Sequence, residues 1–392
     1  MKNSLFSVIL LHYNQPRYVL TALQTILSQD YENIELVFAD DASVAIDLEQ
    51  IQAYIEQHKG DNIQNVIYSI NEENVGTVKT LNRAVKKCNG EYILFFAADD
   101  ALCNESVISN YKKAFDKSDD NVYMISSQCY MMDINMEKKI ENFVKPTQAA
   151  SFNNLPAIGQ YKVFCQTCFL AIGATAMRRD MFEKFGYFNE EYKFVEDWSY
   201  FLHLTRNGGL VRYIDFEGLL HRDGGVSHYV AEDAVPPHVM AYKYDIIKIL
   251  ENEIIPYLKQ FEPKVIIKTL NQYAEYKKDY FLSGGTLNTM SMWKLVSMHP
   301  SFYIQSALFP MTKNWEYIMH LTRNAAHMAL VVVGCFLATM TVPEFIRPLF
   351  TIAYFMFLTI FFVTIGCIFS LGIIKVLLRT LQRIKKLIRR LK

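Results

Sequence analysis

Short apolar runs alternate with stretches of helical periodicity through the first half of the chain. Phe6–Leu11 reads as a strand, and Pro16 opens a helix to about Gln29 with Tyr18, Leu20, Leu23, Ile26 and Leu27 as its apolar stripe. Ile34–Ala39 is a second strand. A helix over 47–58, a strand over 66–70 and a helix over 78–87 follow. Tyr92–Ala97 comes after the helix-stop pair Asn89-Gly90 and is apolar throughout, the pattern of a strand covered on both faces. Beyond it the spacing predicts a helix over Glu105–Phe115, a strand over Val122–Ser127 and a less periodic, loop-like stretch to Cys165. Phe169–Met177 reads as a strand and Arg178–Phe185 as a helix closed by Gly186. A last helix opens at Glu196-Asp197-Trp198, with Phe201, Leu202 and Thr205 at helical spacing, and stops at Asn207-Gly208-Gly209. This rhythm predicts an α/β domain over residues 1–230, built on a Rossmann-like doubly wound sheet.

The pattern changes after Pro236-Pro237. Residues 231–322 read as a helical and interfacial linking region: the segments 239–258 and 263–282 either pack on the first domain or lie against a bilayer, and Trp293–Trp315 suits an interfacial platform or a packed core equally. Residues 323–374 read as two transmembrane helices. Ala325–Val342 and Leu349–Ile374 run 18 and 26 residues without a charged side chain, each enough to cross a hydrocarbon layer of about 30 Å. Val342–Pro348 is the turn of this C-terminal hairpin.

Charge orients the hairpin. The formal net charge is zero, yet the tail 375–392 carries eight Lys or Arg and no acid, leaving 32 basic against 40 acidic residues elsewhere, a balance of −8. An acidic body argues against a nucleic-acid partner. A basic amphipathic tail predicts contact with anionic lipid, with tail and N-terminal domain both on the cytoplasmic side of a plasma or inner membrane. Ser7–Leu11 is too short for the apolar core of a secretory signal. The seven cysteines include one close pair, Cys165 and Cys168, weak support for zinc, and read as reduced residues.

Candidate chemistry sits at element ends. Asp40-Asp41 follows the second strand, Asp99-Asp100 follows Tyr92–Ala97, and Glu196-Asp197 opens a helix. Ligands of open α/β sheets bind beyond the carboxyl ends of strands, where adjacent carboxylates hold a divalent cation against phosphate. Each pair taken singly also suits a turn or a helix start.

Ser7–Asn14, Glu35–Ser43, Asn74-Val75-Gly76 with Asn82, Gly90–Asp100, and Gly173–Phe188 with Glu196-Asp197-Trp198 resemble, in order and spacing, the family 2 glycosyltransferases of GT-A fold. The resemblance covers roughly residues 5 to 230. It implies that Tyr13 and Asp41 lie around the base and ribose of a nucleotide-diphosphate sugar, that Asp99 lies near the sugar or ribose, and that Asp100 is a ligand of Mg²⁺ or Mn²⁺. It implies that Asp197 is the catalytic base of an inverting, hexosyltransferase-type reaction. Two positions depart from the family pattern: Leu11 replaces a small or polar residue, and Arg222-Asp223-Gly224 lacks the His of an Arg-x-His motif, although His221 and His228 flank it. Arg222 is assigned to the diphosphate. Lys79 either approaches the phosphates or lies on a solvent face, and Arg83 is read as solvent-facing. The membrane segments point to a lipid-linked or membrane-proximal glycan acceptor in surface polysaccharide biosynthesis. The Gln-x-x-Arg-Trp motif of processive synthases is not found. The alternative reading is a non-catalytic membrane scaffold that retains the nucleotide-binding fold.

Overall fold

The computed structural model describes residues 4–44, 46–224 and 235–283, with a few isolated positions beyond them. The chain divides into two compact units, Met1–Ser291 and Met292–Lys392. The predicted membrane hairpin, the segment 293–315 and the basic tail lie outside the described residues. No helix among the described residues is long and apolar enough to cross a membrane.

Four parallel strands form the first half of a nine-stranded sheet: β1 (Phe6–His12), β2 (Ile34–Asp40), β3 (Ile63–Ile70) and β4 (Tyr92–Ala97). β2 is buried at all seven positions, and its apolar run Leu36–Ala39 between the buried acids Glu35 and Asp40 suits a strand covered on both faces of the sheet. β3 is the edge, which explains its exposed polar positions. The intervening helices are α1 (Val19–Leu27), α2 (Leu48–His58) and α3 (Thr77–Val85). Asp47 caps α2 by accepting the Gln50 N–H at 2.8 Å.

The second half departs from the predicted doubly wound layout. After β5 (Ala101–Leu102) and α4 (Val107–Asp116), β6 runs from Val122 to Met132, past the predicted end at Ser127, and pairs with the short β7 (Lys139–Asn142). The stretch read as a loop folds into α5 (Pro146–Asn153) and α6 (Ala157–Phe164). The predicted strand 169–177 is realised as a 3-10 turn, Ile172–Ala174, and a short β8 (Thr175–Arg178). Sheet order is β3-β2-β1-β4-β8-β6-β9-β5, where β9 (Leu210–Arg222) was not predicted. β8 enters from the edge where β4 ends, so it pairs antiparallel with both β4 and β6, and the sheet is mixed. β9 is parallel to β6, so the long strands all finish on one edge.

α7 (Met181–Phe185) and α8 (Glu196–Arg206) complete this part, and α9 (Pro237–Ile249) and α10 (Pro263–Leu282) belong to the same unit. The segment 239–258 packs on the domain. Ile246, Ile247, Ile249 and Leu250 are buried. Glu253 meets Arg206 of α8 at 2.8 Å, and its carbonyl accepts the Tyr161 hydroxyl of α6 at 2.6 Å.

Register in the parallel half is fixed by a buried acid. Glu35, 1% exposed, accepts hydrogen bonds from Ser7 Oγ (2.7 Å), Asn65 Nδ2 (3.2 Å), Asn89 N–H (2.8 Å) and Asn89 Nδ2 (2.8 Å). The Gly90 N–H donates to the same serine hydroxyl at 2.9 Å. A Cβ on Gly90 would stand 2.5 Å from the Ser7 nitrogen, so glycine is required here by close approach of β1 rather than as a helix stop. Burial pushes the Glu35 carboxyl up, but the bonds from Asn89, Ser7 and Asn65 outweigh it and hold it below its ordinary value. A depressed carboxyl adds stability above its unfolded pKa that disappears as pH falls through the folded one. Glu35→Gln is therefore expected to cost about 1–3 kcal/mol at pH 7, with the difference from wild type shrinking below about pH 4. Denaturant midpoints across that range are the check.

Candidate active site

Parallel register delivers the acidic pairs to one edge. His12 pairs with Asp40 and Leu11 with Ala97, so Tyr13, Asp41 and Asp99-Asp100 all emerge just past the carboxyl ends of adjacent strands. The end of β9 pairs with the end of β6, Arg222 opposite Met132, and brings His221 and Arg222 to the same edge.

The two aspartates after β2 do different work. Asp40 is fully buried and meets His12 Nδ1 at 2.7 Å, Ser43 Oγ at 2.5 Å and the Ser43 N–H at 2.9 Å. Burial raises its pKa, but these partners more than offset it, and the net shift is downward. The pairing holds the turn in which Ala42 adopts φ +58°. Asp41 reaches the other way: Oδ1 accepts Asn71 Nδ2 and the Val75 N–H, both at 2.9 Å, and Oδ2 accepts the Gly76 N–H at 2.9 Å. It therefore braces the 71–76 loop, and its Oδ2 keeps acceptor capacity beyond the Gly76 N–H. Tyr13 is 48% exposed, next to Asn14 at φ +51°, and offers an open ring at the rim. Lys79 is exposed on α3. Arg83, read as solvent-facing, is exposed and donates to Asn71 Oδ1 at 2.8 Å.

Asp99 and Asp100 form the densest charge cluster. Asp100 Oδ1 accepts the Arg222 N–H at 3.0 Å and lies 3.0 Å from His221 Nδ1, which is 3.1 Å from Oδ2. Gln15 Nε2 donates to Asp99 Oδ2 at 3.3 Å. Arg222, only 7% exposed, does not point openly outward. Its Nε donates to the Asp99 carbonyl at 2.9 Å, its Nη1 to the Ile134 carbonyl, and its guanidinium stands 4.0 Å above the Tyr18 ring. It sits as a clamp behind the acidic pair. Burial, then the charge of Asp100, push the Asp99 carboxyl up, with His221 and Arg222 opposing. Burial disfavours a charged His221, but its bond to Asp100 and that carboxylate's charge outweigh burial and raise its pKa.

This donor set fits a hard divalent cation. Asp100 Oδ2 retains acceptor capacity beyond His221, and the Asp99 carboxylate, held by Gln15 on Oδ2, stands beside it. No group of three or more His, Cys, Asp or Glu among the described residues is arranged as a cage. Asp100, with Asp99 beside it, would hold such an ion from one side, and substrate phosphates and water would supply the rest of its shell.

Asp197 lies at the first turn of α8. Its Oδ1 accepts the Trp198 N–H at 2.5 Å, and Trp198 Nε1 is tied to the Phe164 carbonyl at 2.7 Å. Burial raises the Asp197 carboxyl well above the ordinary aspartate range, against the pull of the helix-end N–H groups. Glu196 is raised further by burial and then by the charge of Asp197, and its Oε2 is buried without a hydrogen-bond partner. Tyr242 of α9 belongs to this neighbourhood, its hydroxyl pushed up to about 12 by burial and then by Asp197. Capping alone does not explain a carboxyl kept this close to neutrality.

Sequence reasoning noted His221 only as a neighbour of Arg222, because β9 was missed. The alternation Val211, Tyr213 among Arg212 and Ile214, followed by Phe216, was the available signal, interrupted by Asp215, Glu217 and Gly218.

Residues 7–186 match the family described as Glycosyl transferase family 2. GlyG of Streptococcus pneumoniae serotype 4 is 30% identical over 120 residues, covering 31% of this chain and 38% of GlyG. Escherichia coli K12 WcaA, a glycosyl transferase whose name refers to colanic acid biosynthesis, is 33% identical over 101 residues, 26% of this chain and 34% of WcaA. The chain thus spans little more than a third of these curated relatives. Among solved structures, S. aureus TarS 1–349 overlaps with a TM-score of 0.48 at 17% identity, covering 77% of this chain and 79% of that one. Asp197, His221 and Arg222 fall beyond the matched segment.

The Glu196 shift has a stability consequence. A carboxyl with a raised folded pKa binds more protons folded than unfolded, so stability falls as pH rises from the ordinary carboxylate range toward and past neutrality. Glu196→Gln should remove that fall: melting temperatures of variant and wild type are expected to lie close at pH 5, with the variant higher at pH 8. Parallel curves at both pH values would contradict the assignment.

Proposed function

We propose that this protein is an inverting, divalent-cation-dependent glycosyltransferase acting on a nucleotide-diphosphate sugar. The observation that carries the reading is the pairing of two distinct carboxylate environments in one family 2 domain and its extension. Asp99-Asp100 sits at the carboxyl end of a central strand beside His221 and Arg222, and Asp197 sits desolvated at a helix start with its pKa raised.

Tyr13 and Asp41 flank the place for base and ribose, with Lys79 nearby on α3. Asp100 would hold Mg²⁺ or Mn²⁺, and such an ion neutralises charge on the departing diphosphate. Asp197 takes the proton of an acceptor hydroxyl as that oxygen bonds to the anomeric carbon. The bond from that carbon to the diphosphate oxygen breaks, and the nucleoside diphosphate leaves with the electron pair. One displacement inverts the anomeric centre. A base with a pKa raised toward neutrality suits a weakly acidic hydroxyl better than an ordinary carboxylate does. Arg222, through the Asp99 carbonyl and its N–H to Asp100, keeps the acidic pair in place.

The acceptor in this reading is a lipid-linked or membrane-proximal glycan, and the pathway is surface polysaccharide biosynthesis. Two uncharged runs and a basic tail in the sequence support it, with the domain on the cytoplasmic face. The name of WcaA points the same way.

Nucleotide diphosphate release from UDP-, GDP- and dTDP-sugars by detergent-purified protein tests the proposal, with Mg²⁺, Mn²⁺ or chelator and with membrane lipid extract as acceptor. Wild type is expected to use one donor only with metal present, and Asp197→Asn to lose about 10²–10⁴-fold in kcat. Asp100→Asn is expected to lose metal dependence together with activity. Silence on every donor would favour the scaffold reading. In the active enzyme kcat should fall on acidification through a pKa above the ordinary aspartate range, because the base works only when deprotonated; an acidic limb near pH 4 would remove Asp197 from that role.

A further inference from the structure

We propose that Asp245, on α9, is a positioning residue that holds the loop carrying the catalytic base, so that the acceptor side of the site depends on helices outside the matched family segment. This rests on the reading of Asp197 as the base. Asp245 is 2% exposed, and its Oδ2 accepts two consecutive backbone N–H groups, Lys193 at 2.6 Å and Phe194 at 2.8 Å. These stand three and four residues before Asp197. Val195, which joins them to α8 at φ −125° and ψ 55°, provides no side-chain cap. A second contact from α9 reaches the same loop: Lys248 Nζ donates to the Glu191 carbonyl at 3.3 Å.

A buried carboxylate is a costly way to fill space in an apolar helix face between Tyr244 and Ile246. It is well suited to bind adjacent N–H groups of a segment that has no strand partner. Without it both donors lose their acceptor, and the loop gains freedom where α8 begins. Misplacing a base by about 1 Å costs on the order of 100-fold in rate. The nucleotide half of the site, built from β1, β2 and β4, shares none of these bonds. Loss of Asp245 should therefore slow the chemical step and leave donor binding alone.

The test compares full-length wild type, Asp245→Ala and Asp245→Asn for kcat, donor KM and hydrogen–deuterium exchange of the peptide containing Lys193 and Phe194. Asp245→Ala is expected to lower kcat about 10- to 100-fold, to leave donor KM within about twofold, and to speed exchange in that peptide. The amide oxygen of Asp245→Asn still accepts both hydrogens, so that variant should recover most of the rate. If the alanine variant does not fold, Asp245→Ser, which is too short to reach the loop, gives the same reading. An unchanged kcat, or a fall in kcat without faster exchange, overturns the proposal, as does a fall accompanied by an equal loss of donor binding. A wild type active on a donor while the variants match it would sink Asp245 alone. A silent wild type would remove the base assignment and this role with it.

Discussion

One buried carboxylate ties together the amino-terminal ends of all four parallel strands. Glu35 of β2 takes hydrogen bonds from Ser7 in β1, from Asn65 in β3 and from Asn89, directly ahead of the Gly90 that leads into β4. A strand slip of one residue would turn every core side chain to the opposite face and strip this acid of its partners at once. Register set at one end of a parallel sheet is register set at the other. The alignment of Tyr13, Asp41 and Asp99 on the opposite edge is thus inherited from a contact far from any ligand.

At that opposite edge the chain accumulates negative charge and compensates it unequally. Asp40 and Asp41 both shape loops, by His12 and Ser43 on one side and by the 71–76 segment on the other. Asp99 and Asp100 have an arginine and an imidazole behind them, and burial, then the charge of Asp100, still raises the Asp99 carboxyl. Among the described residues no cation is hydrogen-bonded to Asp197, which relies on helix-end N–H groups against strong desolvation. These differences in compensation, rather than the presence of acids as such, separate scaffolding carboxylates from reactive ones.

The parallel half was legible because a strand covered on both faces has no choice but continuous apolar sequence, and Tyr92–Ala97 falls where the pattern predicted it. The acidic ends were legible for the same reason, since polarity returns abruptly where the strand leaves the core. The mixed half was not. β9 carries charges on its half-exposed positions and a glycine that passes against Ser127, so its periodicity is diluted, and with it went the partnership of His221 with Asp100. The guanidinium of Arg222 also follows tertiary geometry: sequence placed it at a diphosphate, and the fold wraps it in two carbonyls and the Tyr18 ring. Asp245 was invisible because nothing local distinguishes an acid that caps a distant loop from one on a wet helix face.

The central place of β9 bears on how the chain can be divided. Between β6 and β5 it fills a ladder that runs from Leu210, next to the exit of α8, to Arg222, behind the acidic pair. A fragment cut at the end of the family segment, residue 186, would bare the long edge of β6, a row of unsatisfied N–H and C=O groups ready to pair with another copy. Extending the cut to 222 closes the sheet but leaves Lys193, Phe194 and Arg206 without the acceptors that α9 and the turn after it provide. The smallest self-sufficient piece of this chain is therefore longer than the matched segment, and the border between the α/β domain and the appended helices is a border in sequence only.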